Sequence, residues 1–138
     1  MDDVIDRICA ATNAHDLDAL VGCFADDYRL EMPVHPGRDF RGSAQVRTNW
    51  AQIFAGVPDI RAEVVARATD GPHRWTEWRM WGTRRDGAAH DMRGVAIFEV
   101  DRAADRERAR SCRFYLEQVE DGSGSVDDDI RRRVGAGS

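Results

Sequence analysis

The stretch "RWTEWRMWGTRRDGAAHDMRGVAIFEV", residues 74–100, decides the architecture. Its two halves alternate side chains on either side of Asp86-Gly87, a dipeptide strongly favoured in tight hairpin turns. The first half places three tryptophans, Trp75, Trp78 and Trp81, within seven residues, with Glu77 and Arg79 between them. In a strand, residues two apart share a face. Taking Asp86-Gly87 as a two-residue turn sets Arg85 against Ala88, and the register then pairs Trp81 with Met92, Arg79 with Gly94 and Glu77 with Ala96. Glu77, Arg79 and Trp81 then lie across from Met92, Gly94 and Ala96. Small residues beside large polar ones leave room, and a pocket needs room beside polar groups. The opposite face holds Thr76, Trp78, Met80, Arg93, Val95 and Ile97. It too is largely apolar, so it is expected to be covered by a second copy, giving a homodimer through Trp78, Met80, Val95 and Ile97. A turn one residue longer exchanges the two faces.

Outward from this hairpin, "IRAEVVARAT" (60–69) precedes it as a strand and "RSCRFYLEQV" (110–119) follows as another, after a charged turn at "DRAADRER". Upstream the period changes to that of helices. Val4, Ile5, Ile8 and Cys9 share one face; Asp16 is placed to cap a second helix carrying Leu17, Leu20, Val21 and Phe24. "YRLEMPV" reads as a short strand ended by Pro33. Ser43 is expected to cap a third helix bearing Val46, Trp50, Ile53 and Phe54, which stops near Gly56. Helices followed by a meander of strands predict an α+β fold, a curved antiparallel sheet wrapped around the N-terminal helices. Residues 1–120 are expected to form this domain. Residues 121–138 read as a "DGSGS" linker and a short tail, "VDDDIRRRV", that either forms one or two helical turns or remains frayed.

A chain of 138 residues suits one domain with an internal pocket. All 20 basic residues are arginine, which fits GC-rich codon bias. With a net charge of −5 and no segment that gathers positive charge, nucleic acid is not an expected partner. The sequence carries no apolar run long enough for a membrane span and no signal-peptide pattern, so no membrane association and a cytoplasmic location are expected. Cys9, Cys23 and Cys112, odd in number and set among apolar residues, read as small buried hydrophobes.

With these elements in place the sequence resembles the nuclear transport factor 2-like superfamily, in particular its SnoaL-like branch, over roughly residues 3–120. The resemblance rests on "NAHDLDALVGCFADD", "EMPV", the glycine and helix after it, and "RFYLEQVE". It implies a cone-shaped α+β barrel with a pocket between sheet and helices. It leaves the activity open, since members include isomerases, epoxide hydrolases, polyketide cyclases and proteins that only bind. Against ketosteroid isomerases, the helix-one tyrosine falls on Ile8, the aspartate base on Met32 and the oxyanion-hole acid on Ala96, so that mechanism is absent. Against limonene-type epoxide hydrolases, the middle-strand arginine and aspartate fall on Glu77 and Arg79 in swapped order, and the last-strand aspartate falls on Phe114. This comparison also turns Glu77 and Arg79 inward.

These readings make Glu77 the expected base or water activator and Arg79 the group that orients it and polarises a substrate oxygen. A buried ion pair that fixes sheet register explains the two residues equally well. Trp75, Trp81, Met32, His35, Met92, Phe98, Phe114 and Leu116 are the expected substrate-binding residues, with His35 at the pocket mouth able to shuttle protons. Cys112 is expected in the pocket wall but lacks an activating neighbour. The histidines show no metal-ligand spacing, and no nucleotide-binding glycine motif occurs, so neither metal nor cofactor is expected. The expectation is a cofactor-free acid–base enzyme, of cyclase, isomerase or hydrolase type, acting on a small hydrophobic metabolite. The alternatives are a binder of an aromatic or terpenoid ligand, or a dimeric structural domain with a vestigial pocket.

Overall fold

Two aspartates start the helical half. Asp3 accepts the N–H of Ile5 at 2.7 Å and opens α1 (Val4–Ala14); Asp16 accepts that of Ala19 at 3.1 Å and opens α2 (Leu17–Val21). The computed structural model describes residues 3–102 and 106–135. After α2 come β1 (Phe24–Glu31), a 3-10 turn (Pro36–Arg38), β2 (Phe40–Arg41) and α3 (Ser43–Gly56). Four longer strands follow: β3 (Arg61–Asp70), β4 (His73–Thr83), β5 (Ala89–Asp101) and β6 (Arg108–Phe114). The short β7 (Glu117–Gln118) and the C-terminal α4 (Val126–Val134) close the chain. The expected α+β class holds, with a curved, unclosed sheet and three helices, α1 to α3, in the N-terminal half.

The sheet order is β2-β1-β6-β5-β4-β3, with β7 on β5. Its pairings are antiparallel except that β1 runs parallel to β6. Bulges at Val65 in β3, between Phe24 and Arg29 in β1 and at Arg110 in β6, opposite Glu99–Val100, bend it, because an extra residue on one strand increases the local twist. Helix α1 docks on β3 through polar side chains as well as apolar ones. The Asn13 amide donates to Ala62 O at 3.0 Å and accepts from Ala62 N at 2.7 Å, so it stands in for a missing strand partner. His15 ends α1 in the left-handed region, its ring 2.8 Å from Ile60 O and stacked on Phe54.

Several boundaries differ from the sequence reading. Phe24 opens β1 instead of ending α2, since its side chain packs edge-on against Tyr28 of the same strand, ring centroids 4.7 Å apart. Ser43 is the first residue of α3 and makes no cap; Gly42 precedes it. The last predicted strand breaks at Tyr115–Leu116. Part of the charged turn, residues 103–105, lies outside the described residues. The tail does form a helix, capped by Ser125, with Asp129 paired to Arg132 and Arg133.

The hairpin register is the consequential difference. Arg84 pairs with Ala88, and three residues, Arg85, Asp86 and Gly87, make the loop: Gly87 N–H donates to Arg84 O while Gly87 takes a φ of 88°. That is a turn followed by a glycine in the left-handed region, one residue longer than the two-residue alternative. The register becomes Trp81 with Asp91, Arg79 with Arg93, Trp78 with Gly94, Glu77 with Val95 and Thr76 with Ala96. Strand β5 keeps the expected orientation, with Met92, Ala96 and Phe98 inward and Val95 and Ile97 outward. Strand β4 is reversed. Thr76, Trp78 and Met80 face the helices; Trp75, Glu77, Arg79 and Trp81 lie on the outer face. The space opposite Gly94 is also filled: a Cβ there would sit 2.2 Å from Tyr115 O, and the glycine's φ is 150°. The small residue lets the chain at Tyr115–Leu116 cross closely, instead of making room for a charged neighbour.

Candidate functional site

Between the helices and the inner sheet face lies a cavity of about 330 Å³, at the lower end of the size that small-molecule sites occupy. Its floor is the buried Trp78, Ala96 and Cys112, and its walls come from every layer. Helix α1 contributes Ile8, β1 contributes Phe24, Tyr28 and Leu30, and α3 contributes Val46, Asn49, Trp50 and Ile53. Met80, Phe98, Phe114 and Leu116 complete the sheet side, and Met32, Arg38 and Phe40 the remainder. Among the described residues the lining holds no carboxylate and no histidine.

The polar atoms of the floor are already matched. Trp78 Nε1 donates to Thr76 Oγ1 at 2.7 Å, and Thr76 donates in turn to Ala96 O at 2.6 Å, so the indole N–H is turned to the sheet and not to the cavity. Tyr28 hydrogen-bonds the Cys112 thiol. Burial holds the Tyr28 phenol well above its usual pKa, with Cys112 adding to the effect. Burial likewise pushes Cys112 up to about 12, despite the opposing hydrogen bond from Tyr28. Both stay protonated in neutral solution, and Cys112 is not a nucleophile there.

Of the sequence-selected residues, Met32, Phe98, Phe114 and Leu116 line the cavity. Met92 packs against the core on the inner side without reaching the lining. His35 stands beside the rim, its Nε2 2.7 Å from Glu117 Oε1, and the pair is partly exposed. Trp75, Trp81, Glu77 and Arg79 are outside the cavity, because the longer hairpin loop reverses β4. Nor do Glu77 and Arg79 join: Arg79 lies over the Trp81 ring at 4.6 Å and 3.5 Å from Asp91, while Glu77 is exposed with no ion pair among the described residues. The expected dimer contacts divide in the same way, Trp78 buried and Met80 half-buried on the inner side and Val95 and Ile97 lying on the outer one.

Ile8, Met32 and Ala96, the positions onto which isomerase catalytic residues fall, all line the cavity as an isobutyl-sized chain, a thioether and a methyl. Sequence reasoning missed Tyr28, Arg38 and Asn49, and it assigned Trp78 to a dimer contact instead of the cavity. Tyr28 was findable, since Tyr28, Leu30 and Met32 alternate toward one face. Asn49 was findable too, because it interrupts the Val46, Trp50, Ile53 stripe of α3. Nothing in "HPGRDF" singles out Arg38.

The SnoaL-like domain matches residues 5–106, most of the chain. The protein belongs to the SnoaL-like domain family. None of the curated proteins matches it by sequence. Among solved structures it is similar to a conserved protein from Planctomyces limnophilus, at 21% identity and a TM-score of 0.69, covering 84% of this chain and 92% of that one. It is similar to an LEH-like epoxide hydrolase from M. tuberculosis, at 18% identity and a TM-score of 0.68, covering 83% and 80%. A protein from Catenulispora acidiphila with a ketosteroid isomerase-like fold, solved with trimethylamine, matches at 17% identity and a TM-score of 0.65, covering 83% and 86%. At these identities the likeness is one of fold. Within that fold, cyclases, isomerases and epoxide hydrolases all occur, so this SnoaL-like chain must be read from its own cavity. No helix of the structure is long and apolar enough to cross a membrane.

Proposed function

We propose that this SnoaL-like protein binds a small, predominantly apolar molecule in the cavity between α3 and the inner sheet face. The observation that supports this reading is the lining: an apolar volume, open on one side, with neither carboxylate nor histidine in it among the described residues. Such a surface gains free energy from burying apolar area, at about 25 cal/mol per Å², while offering no group suited to abstracting a proton. The test uses N-phenyl-1-naphthylamine, a neutral probe that fluoresces when it leaves water. Wild-type protein should saturate with one probe per chain, and Ala96→Leu, which grows into the cavity, should weaken binding at least about tenfold. Equal binding by both proteins would place the probe elsewhere and defeat the reading.

A second reading, acid–base catalysis of cyclisation, isomerisation or water addition, draws on one observation. His35 is held by Glu117 at the rim, and a carboxylate that orients an imidazole leaves the second ring nitrogen available. Turnover of a panel of hydrophobic epoxides and enolisable ketones that disappears in His35→Gln, with probe binding intact, would favour it over simple binding. Activity that instead vanished in Glu77→Gln would return the chemistry to the outer face. For that face the proposal is a second copy of the chain, because Trp75 and Val65 are 45% and 52% exposed there.

A further inference from the structure

Two polar side chains interrupt the apolar lining, and each has donors to spare. Arg38, on the turn Pro36–Arg38, is solvent-exposed at the cavity edge and has neither an ion pair nor a side-chain hydrogen bond among the described residues. Two acids beside this turn are already engaged: Asp39 accepts the Met32 N–H at 2.7 Å, and Glu117 holds His35. Asn49, half-buried on α3 and part of the cavity lining, has its Oδ1 occupied by Gln45 Nε2 at 2.8 Å, and its amide N–H groups have no acceptor among the described residues. Among the described residues the lining holds no carboxylate to repel an incoming anion.

We infer that the ligand class is a small amphipathic carboxylic acid, its apolar body inside and its carboxylate on Arg38, with Asn49 as a further donor. The inference rests on the cavity being a ligand site, as proposed above. A guanidinium presents a planar fork that matches the two oxygens of a carboxylate, and charge-assisted bonds of this kind are about twice as strong as neutral ones. An ester or alcohol of the same body fills the cavity equally well but leaves Arg38 to water. The whole molecule does not favour anions, since its net charge is −5. A preference for the acid therefore reports the local donors and not a general field.

The experiment is displacement of N-phenyl-1-naphthylamine by 2-naphthoic acid and by methyl 2-naphthoate at neutral pH. In wild-type protein the acid should displace the probe at about a tenfold lower concentration than the ester. Arg38→Met should erase that preference without changing the ester's potency, and Arg38→Lys should keep part of it. Equal potency of acid and ester in wild type, or a preference that survives Arg38→Met, overturns the acid assignment while the apolar cavity stands. Failure of the probe itself to bind overturns both.

Discussion

Cys112 shows how far one buried side chain can carry a solution property. Its thiol, in the cavity wall beside Tyr28, is pushed by burial up to about 12 from an ordinary value near 9.0. In the unfolded chain the thiol ionises near its ordinary value; in the folded chain it keeps its proton. The unfolded state therefore sheds protons first as pH rises, so the stability the thiol contributes is complete below pH 9 and is lost progressively toward 12. The chain makes this window readable, because its 20 basic residues are all arginine and no lysine titrates within it. Urea midpoints measured in reductant from pH 8 to 11 should fall with pH, and the fall should be shallower in Cys112→Ala by up to one proton. An unchanged slope would mean that the thiol is not held in its protonated form. Tyr28, raised above its own ordinary value, leaves a residual slope above about pH 10.

At the level of elements, strand β4 separates what the sequence makes legible from what it does not. Trp75 and Trp78 are chemically the same residue three positions apart, and parity alone decides their fates. Trp78 is 2% exposed, packed under the helices with its N–H satisfied by Thr76; Trp75 stands on the outer face. Trp78→Ala should cost about 3–5 kcal/mol in chemical denaturation, and Trp75→Ala less than about 1 kcal/mol in the isolated chain. Reversed magnitudes would restore the two-residue turn. The α+β order, the Asp16 cap, the strands on either side of the hairpin and the inward side of β5 follow from periodicity and turn residues. The parity of β4 does not, because Asp-Gly serves two-residue and three-residue loops alike and the difference of one residue inverts every side chain upstream. The two-residue turn draws Glu77 and Arg79 into the pocket, and the three-residue loop turns them out of it. Arg38 reaches the cavity edge through a turn without periodicity, and such positions come from tertiary structure alone.

For the whole molecule, the same reversal changes what the outer face offers a neighbour. It presents Trp75 and Val65 exposed, Val95 and Ile97 behind them, and a mixture of acids and arginines: Glu63, Glu77 and Asp91 with Arg79, Arg93 and Arg113. In a two-fold pairing a face meets itself, so the unpaired Glu77 of one copy can meet an arginine of the other, and the apolar centre is covered from both sides. The proposed homodimer thus uses the residues first assigned to catalysis, while Trp78 and Met80 stay with the cavity. Sedimentation at tens of micromolar should give twice the mass of the chain. Trp75→Arg, which places like charges against each other across the two-fold axis, should give the single chain. If the cavity is built within one chain, that monomer should bind N-phenyl-1-naphthylamine with wild-type affinity. A monomeric wild type would defeat the pairing. A Trp75→Arg monomer that loses the probe would mean that the second copy completes the site, and the outer face would then belong to the function after all.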